Sequence, residues 1–198
     1  MSFHLDKYTI LREVISPELA KFITEYFMLK KQVARTMFDT RYLPDTVTEF
    51  GVWNDPQVPN TYSHYADIAM ETLLTWVQPV MEEHTGLELI PTYSYARIYK
   101  KGDVLERHRD RFSCEISTTM NLGGDPWPIY LEPKIKVDLS PGDMLIYSGC
   151  ELDHWRDEFK GTNCAQVFLH YNRKTKESEK NKFDQRFHLG LPAGFKNL

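Results

Sequence analysis

Apolar side chains recur at helical spacing in two stretches of the first half of the chain. Ser16 and Pro17 form a typical helix start, because serine caps a first turn and proline fits its first position, and they predict a helix over 17–31. Its apolar stripe consists of Leu19, Phe22, Ile23, Tyr26 and Phe27. A second helix is predicted over 63–84, with a kink or break at Pro79. Its stripe consists of Ala66, Met70, Leu73, Leu74, Val77 and Met81.

From residue 91 onward the period of the pattern changes to two, which is typical of strands. Alternation predicts a first strand over 93–99. Further strands are predicted at 104–110, 114–122, 128–131, 134–139, 143–148 and 163–171. Clusters of Gly, Pro and Asp separate these runs as turns. Many short strands predict a sandwich or barrel-like β fold, so the expected class is α+β, with two helices packed against a C-terminal β core.

The length of 198 residues suits one domain with a substantial apolar core. We expect a single domain over 1–198, with helical support over about 1–90 and a β core over about 91–172. The charged tail over 173–198 is expected to wrap loosely around the domain. Hydrophobic residues at 41% and charged residues at 26% are typical of a soluble globular protein.

Charge and cysteine content limit the expected partners and location. The net charge of -4 gives no basic footprint for nucleic acid. No apolar run approaches the roughly 20 residues of a membrane span, and charges occupy the N-terminal stretch that a signal peptide would keep apolar. The cysteines are odd in number and lack CxxC spacing, which favours a reducing, cytoplasmic location and buried apolar roles. They are Cys114, Cys150 and Cys164.

The chain contains two His-x-Asp motifs, and one of them lies in a β context. The motif at 4–6 precedes the first helix without any strand pattern, so we reject it. In the motif at 108–110, a strand would place His108 and Asp110 on one face, where both can reach one metal. His154 follows a later predicted strand. It would complete the triad of two histidines and one carboxylate that non-haem Fe(II) oxygenases use.

Each of these residues also has an interpretation without a metal. Asp110 lies between Arg109 and Arg111, an arrangement that suits weak surface ion pairs. A single histidine such as His154 is more commonly a surface or hydrogen-bonded core residue than a metal ligand. His170, on the last predicted strand, fits either face of that strand. Structural roles are expected for His84 and His188.

A longer, ordered series of motifs surrounds the triad. The series consists of residues 93–103, His108-Arg109-Asp110, Cys114-Glu115-Ile116-Ser117, Trp127-Pro128-Ile129, Pro141-Gly142-Asp143, His154-Trp155-Arg156 and residues 166–171. In this order, the chain resembles the prolyl 4-hydroxylase-like branch of the Fe(II)/2-oxoglutarate dioxygenases. Small stand-alone members from bacteria and phages are the most similar.

The resemblance implies a double-stranded β-helix, or jelly-roll, core braced by N-terminal helices. It implies that Fe(II) is held by His108, Asp110 and His154, with 2-oxoglutarate and O2 as cosubstrates and ascorbate as a candidate reductant. The implied reaction hydroxylates a peptidyl residue such as proline and releases succinate and CO2. Two alternatives stay open, namely a hydroxylase of a free amino acid or small metabolite and a non-catalytic jelly-roll module that binds metal.

The family's cation for the distal carboxylate of 2-oxoglutarate is missing from its usual place. That place is nine or ten residues beyond the distal histidine, where this chain has Asn163 and Cys164. Arg97 is the favoured substitute, because a buried arginine on an aromatic strand needs an anionic partner. A salt bridge to a core acid is the alternative role for Arg97. Further candidates for cosubstrate binding are Tyr99, Lys160 and Thr119.

Two aromatic features each have two interpretations. The long loop over 39–63 is rich in aromatic residues, as lids over β cores are, but packing against the second helix explains it slightly better. Trp155 would either form a wall of the substrate cleft or pack beneath a loop.

Overall fold

Two antiparallel β-sheets and two long helices form most of the structure, a computed structural model that describes residues 3–44 and 46–196. The larger sheet has six strands and the smaller sheet has four. The predicted mixture of helices and antiparallel sheet is therefore confirmed. Within the described residues, no helix is both long enough and apolar enough to cross a membrane.

The first long helix, α2 (Pro17–Asp39), begins where the sequence predicted. The Ser16 hydroxyl caps its first turn by accepting a backbone N–H at 3.2 Å. The predicted end near Lys31 is wrong. Ala34 is buried and Phe38 packs on the core, so the apolar face of the helix continues beyond that point.

The second long helix, α3 (Ile68–Thr85), begins later than predicted. Residues just before it form a strand, β2 (Tyr62–Tyr65), and the Asp67 carboxylate caps the helix by accepting two backbone N–H groups. Of the predicted kink or break at Pro79, the break is wrong, because α3 continues through this residue as one helix. Proline has no backbone N–H, so Pro79 cannot donate the usual helical hydrogen bond to the carbonyl of Thr75. This carbonyl lies on the exposed side of the helix, where water can solvate it.

All predicted strands are present, most with slightly shifted ends. The larger sheet has the order β1-β8-β5-β10-β3-β2 and the smaller has β4-β9-β6-β7. A one-turn helix, α1 (Phe3–Asp6), precedes the first strand. The remaining strands are β1 (Tyr8–Leu11), β3 (Leu89–Lys100), β4 (Leu105–His108), β5 (Ile116–Gly124), β6 (Ile129–Leu131), β7 (Ile135–Val137), β8 (Met144–Ser148), β9 (His154–Arg156) and β10 (Asn163–Arg173).

Three strands, β1, β2 and β9, were not predicted. Two of them, β1 and β2, lie in the region expected to be purely helical support, where they form the edges of the larger sheet. With three or four residues each, these strands are too short to show an alternating pattern.

Alternation along β10 separates two apolar layers. Ala165, Val167 and Leu169 pack toward the helices. Cys164 and Phe168 point the other way, into the space between the two sheets, where aromatic residues of β3 and of two loops surround them. The candidate site lies in this second layer.

The C-terminal segment is anchored to the domain, so the expectation of a loosely wrapping tail is wrong. After a short 3-10 segment over Ser178–Gln185, Arg186 is completely buried. Its guanidinium forms an ion pair with Glu71 of α3 at 2.7 Å and donates to three backbone carbonyls. Gly190 also donates its backbone N–H to Glu71.

Candidate metal centre

Two adjacent strands of the smaller sheet bring the predicted histidines together. His108 ends β4 and His154 begins β9, and the two residues are direct partners in the antiparallel register. Their ring centroids lie 4.3 Å apart. The Asp110 carboxylate oxygen Oδ1 lies 3.8 Å from Nε2 of His108 and 3.6 Å from Nε2 of His154. The structure therefore places all three predicted metal ligands around one point.

Asp110 reaches this point from a loop, and the prediction that it shares a strand with His108 is wrong. The strand β4 ends at His108, and Asp110 is held by a backbone hydrogen bond from its N–H to the carbonyl of Gly149 at 2.8 Å. Gly149 has no side chain, and a Cβ there would overlap the Asp110 carboxylate. The carboxylate owes its position to this close approach of two loops.

Backbone hydrogen bonds fix the tautomer of both imidazoles. Nδ1 of His108 lies 2.7 Å from the carbonyl of Glu106, and Nδ1 of His154 lies 3.1 Å from that of Leu152. Because a carbonyl only accepts, each Nδ1 carries the proton and each Nε2 presents a lone pair. Burial lowers the pKa of His154, which also favours the neutral form. Two neutral imidazoles and a carboxylate are the donor set of a facial-triad Fe(II) site, so these residues fit the metal.

A buried hydrogen-bond chain supports the carboxylate from behind. The Ser117 hydroxyl lies 3.1 Å from Oδ2 of Asp110 and 2.8 Å from Nδ1 of His170. His170 thus faces inward, and burial lowers its pKa to about 4. Cys114 is also close enough to join Asp110 and His170 in a metal site. Burial raises the pKa of Cys114 to about 12, so its thiol keeps the proton, which disfavours metal ligation there.

The triad lies on the wall of a cavity of about 590 Å³. Both sheets and the loop between α2 and β2 contribute to the walls. Tyrosines form much of the interior, and two loop residues, Asp55 and Gln57, close one side. The Gln57 amide lies 3.0 Å from Nε2 of His108, so it donates to the lone pair that a metal would use.

The favoured candidate for the cosubstrate cation, Arg97, is already paired with an acid. It is buried in the cavity wall and forms an ion pair with Asp55, the alternative that the sequence left open. It also donates to the Tyr99 hydroxyl at 3.2 Å and to Oε1 of Gln57 at 3.1 Å. Burial alone would lower the pKa of Arg97, but Tyr99, Tyr95 and Asp55 raise it above its usual value. The guanidinium thus keeps its proton, and Asp55 supplies the opposite charge that balances it.

The other predicted cosubstrate residues have different surroundings. Lys160 is exposed and pairs with Glu158 at 2.5 Å, outside the cavity wall. Thr119 is fully buried between the sheets, where its hydroxyl lies 3.1 Å from Oε1 of Gln166. Asn163 is partly exposed at the start of β10.

Sequence reasoning missed one buried cation, Arg156. It is 1% exposed, and it lies close to Thr119 and Gln166 in the layer between the sheets. The available signal was its spacing, because residues two apart on a strand share a face and His154 precedes it by two.

The loop over 39–63 combines packing with contact to the site. Trp53 packs edge-on against Phe38 and lies against Tyr62, while the Arg35 guanidinium covers its ring at 3.9 Å. The loop therefore packs on α2 and on the core cluster to which the second helix also contributes. Beyond Trp53 the chain turns to the cavity.

The remaining candidates lie away from the cavity. Trp155 stacks on Tyr130, with ring centroids 5.6 Å apart, on the strand face opposite to His154. It is absent from the cavity lining that the described residues form. Cys150 is only partly buried, which corrects its expected core role. His84 and His188 are exposed and bond backbone carbonyls.

Three solved structures resemble the chain over most of its length. A prolyl-4-hydroxylase from Pseudomonas putida is 14% identical and covers 87% of this chain and 96% of its own, with a TM-score of 0.59. A viral collagen prolyl hydroxylase from Paramecium bursaria Chlorella virus-1, in complex with 2-oxoglutarate, is 10% identical over 84% and 96%, with a TM-score of 0.58. HygX from Streptomyces hygroscopicus, with nickel and 2-oxoglutarate bound, is 13% identical over 87% and 85%, with a TM-score of 0.57.

The chain shares the mixed helical and antiparallel β-sheet fold of these three structures, whose class of oxygenase has a jelly-roll core. No protein-family model and no curated protein sequence matches it. At 10–14% identity, the likeness to these oxygenases concerns the fold. The assignment to the prolyl 4-hydroxylase-like branch stays a prediction.

Proposed function

We propose that this chain is an Fe(II)- and 2-oxoglutarate-dependent oxygenase that hydroxylates a substrate C–H bond. The observation that carries the proposal is the convergence of two lone-pair Nε2 atoms and one carboxylate on a cavity wall. His108 and His154 are locked in the required tautomer before any metal arrives. Such preorganisation is typical of metal ligands with supporting hydrogen bonds.

In the proposed reaction, the bound iron and 2-oxoglutarate carry out the oxidation and the protein positions them. Iron and 2-oxoglutarate, when bound, supply the oxidation, in which O2 gives one oxygen atom to succinate, formed with loss of CO2, and one to the hydroxylated product. His108, Asp110 and His154 would hold the metal on one side and leave the cavity side free. Ser117 would keep the Asp110 carboxylate in place. Related halogenases lack this carboxylate, so its presence supports hydroxylation.

For the substrate, we propose a peptidyl residue such as proline. The two prolyl hydroxylases support this choice, because this chain matches 96% of the length of each. HygX, which was also solved with hygromycin B bound, supports a small-molecule substrate as the second candidate. Asp55 and Gln57 at the cavity wall would suit polar groups of such a molecule.

The test begins with the purified protein, Fe(II) and 2-oxoglutarate in the absence of oxygen. A visible charge-transfer band should appear in the wild type and be absent in Asp110→Ala and His154→Ala. Succinate production in air should then be screened with proline-containing peptides and with free amino acids. The proposal fails if the wild type shows neither the band nor succinate, and faster turnover of free amino acids would favour the second substrate class.

A further inference from the structure

Arg156 is a buried arginine without an acidic partner among the described residues. One terminal nitrogen donates to the carbonyl of Trp127. The other lies 3.4 Å from the Thr119 hydroxyl and 3.3 Å from Oε1 of Gln166, both weak contacts. Its Nε has no hydrogen-bond acceptor. The side chain thus carries a full positive charge, has too few hydrogen-bond acceptors and lacks a negative partner among the described residues.

This arrangement is costly unless an anion joins it. A buried guanidinium stays protonated, and without a counter-charge it keeps most of its desolvation penalty. The groups that interact most strongly with the guanidinium charge are a thiol and two phenols, Cys164, Tyr99 and Tyr147. None of them is a carboxylate, so none supplies a full counter-charge. Arg156 does not line the cavity itself, but it interacts with Tyr99 and Tyr147, which do, so its positive charge favours an anionic group on that side.

The position of Arg156 relates it directly to the metal ligands. It follows His154 by two residues on β9, so both side chains enter the space between the sheets, with Cα atoms roughly 6.6 Å apart. Tyr147 connects the two places, since its ring centroid lies 4.7 Å from that of His154 and Arg156 is close enough to interact electrostatically with it. A five-carbon acid chelated at the triad can span this distance.

The two cations that the sequence analysis favoured are less suited to a second carboxylate. Asp55 already neutralises Arg97, and Lys160 is 72% exposed. In the family's usual place the chain has Asn163 and Cys164, and the Cys164 side chain lies beside Arg156 between the sheets. A small residue on β10 leaves room for a long cation from β9.

On the basis of the proposed function, we infer that Arg156 binds the distal carboxylate of 2-oxoglutarate. The guanidinium fork matches a carboxylate with two charge-assisted hydrogen bonds, and Thr119 offers a third donor. In the family, the cation lies on the strand that follows the distal histidine. Here Arg156 would replace it from β9, the strand that carries His154 itself. Arg156 makes the site selective for a 2-oxo dicarboxylate over a 2-oxo monocarboxylate.

The experiment compares two ligands by calorimetry on Mn(II)-loaded protein without turnover. The ligands are 2-oxoglutarate and 2-oxobutyrate, which lacks the distal carboxylate. Arg156→Gln should weaken 2-oxoglutarate binding at least about 30-fold, because a charged partner of a buried carboxylate is lost. Binding of 2-oxobutyrate should change by less than about threefold, since it makes no such contact. Matched controls are Arg97→Gln and Lys160→Ala, which should keep the wild-type preference.

The ratio of the two affinities separates a specific role from general damage, because misfolding weakens both ligands. Arg156→Lys keeps the charge without the forked geometry, so its affinity for 2-oxoglutarate should fall about tenfold. This variant replaces Arg156→Gln in the experiment if the glutamine variant does not fold. The inference is overturned if the folded Arg156 variants keep the wild-type preference, or if Arg97→Gln abolishes it. If wild-type protein binds neither acid, the proposed function itself fails.

Discussion

Asp55, in the loop between α2 and β2, forms an ion pair with Arg97 on the wall of the cavity. The same carboxylate accepts a hydrogen bond from the Tyr95 hydroxyl at 2.5 Å. Arg97 is 1% exposed, so its charge depends on this one loop residue for compensation. The loop and the cavity wall are therefore electrostatically coupled, although 42 residues separate the partners in sequence.

The first prediction concerns this pair. Asp55→Leu leaves a buried guanidinium unpaired and should lower the free energy of unfolding by about 3 kcal/mol, measured by urea denaturation. Asp55→Leu with Arg97→Leu should lose clearly less, since no unpaired charge is left. Hydrogen exchange of residues 50–60 should rise in both variants. Additive losses in the double variant would show that the two residues are not coupled.

The second prediction concerns Gln57, whose amide occupies the lone pair of His108. A metal must displace this hydrogen bond, which has a net value of about 1 kcal/mol. Gln57→Ala should therefore bind Mn(II) about fivefold more tightly, measured by competition with a metal indicator. Asn54→Ala, which alters the same cavity wall, should leave the affinity unchanged. Weaker binding by Gln57→Ala would instead mean that Gln57 holds His108 in place.

The sequence predicted those parts of the site that depend on local pattern. His108 was identifiable because a clear alternating strand and a turn precede it, and His154 because it follows another strand. Asp110 lies beside the two histidines for a reason other than the predicted one, since the approach of Gly149 and not strand alternation orients it. No cosubstrate role was predicted for Arg156, because the strand β9 that orients its side chain was not predicted.

Long-range pairing decided what the sequence left open. Whether His170 faced inward depended on the register of β10 against β5, which places it opposite Ser117. Whether Arg97 was free depended on Asp55, a residue in an irregular loop whose path no periodicity predicts. The buried Arg186 lies in a segment so rich in charges that its composition indicated solvent exposure.

The third prediction concerns the ion pair between Glu71 and Arg186, which is almost completely excluded from water. Arg186→Met should lower the free energy of unfolding by about 3–5 kcal/mol, because Glu71 is left as an uncompensated buried charge. Glu71→Leu combined with Arg186→Met should recover much of that loss. Urea unfolding measures both, with Arg173→Met at a half-exposed pair as the control. A loss below about 1 kcal/mol for Arg186→Met would contradict the anchored tail.

The fourth prediction concerns pH and His64, which is remote from the metal ligands in the fold. His64 is buried and donates Nδ1–H to Asp67 at 3.2 Å, with Lys30 bound to the same carboxylate and Glu49 nearby. Burial lowers the pKa of His64 despite the favourable Asp67 contact. Histidine in the unfolded chain has a pKa of about 6.5, so below that pH the unfolded chain binds a proton more readily than folded His64 does.

The sign of the effect follows from this difference. The stability contributed by neutral His64 is fully present above about pH 6.5 and is lost as the pH falls below that value. The wild-type unfolding midpoint should fall between pH 7.5 and pH 5.5, and His64→Gln should make this fall shallower. His84→Gln, at an exposed position, should reproduce the wild-type slope. Equal slopes for wild type and His64→Gln would mean that His64 takes up its proton as readily in the folded state as in the unfolded chain.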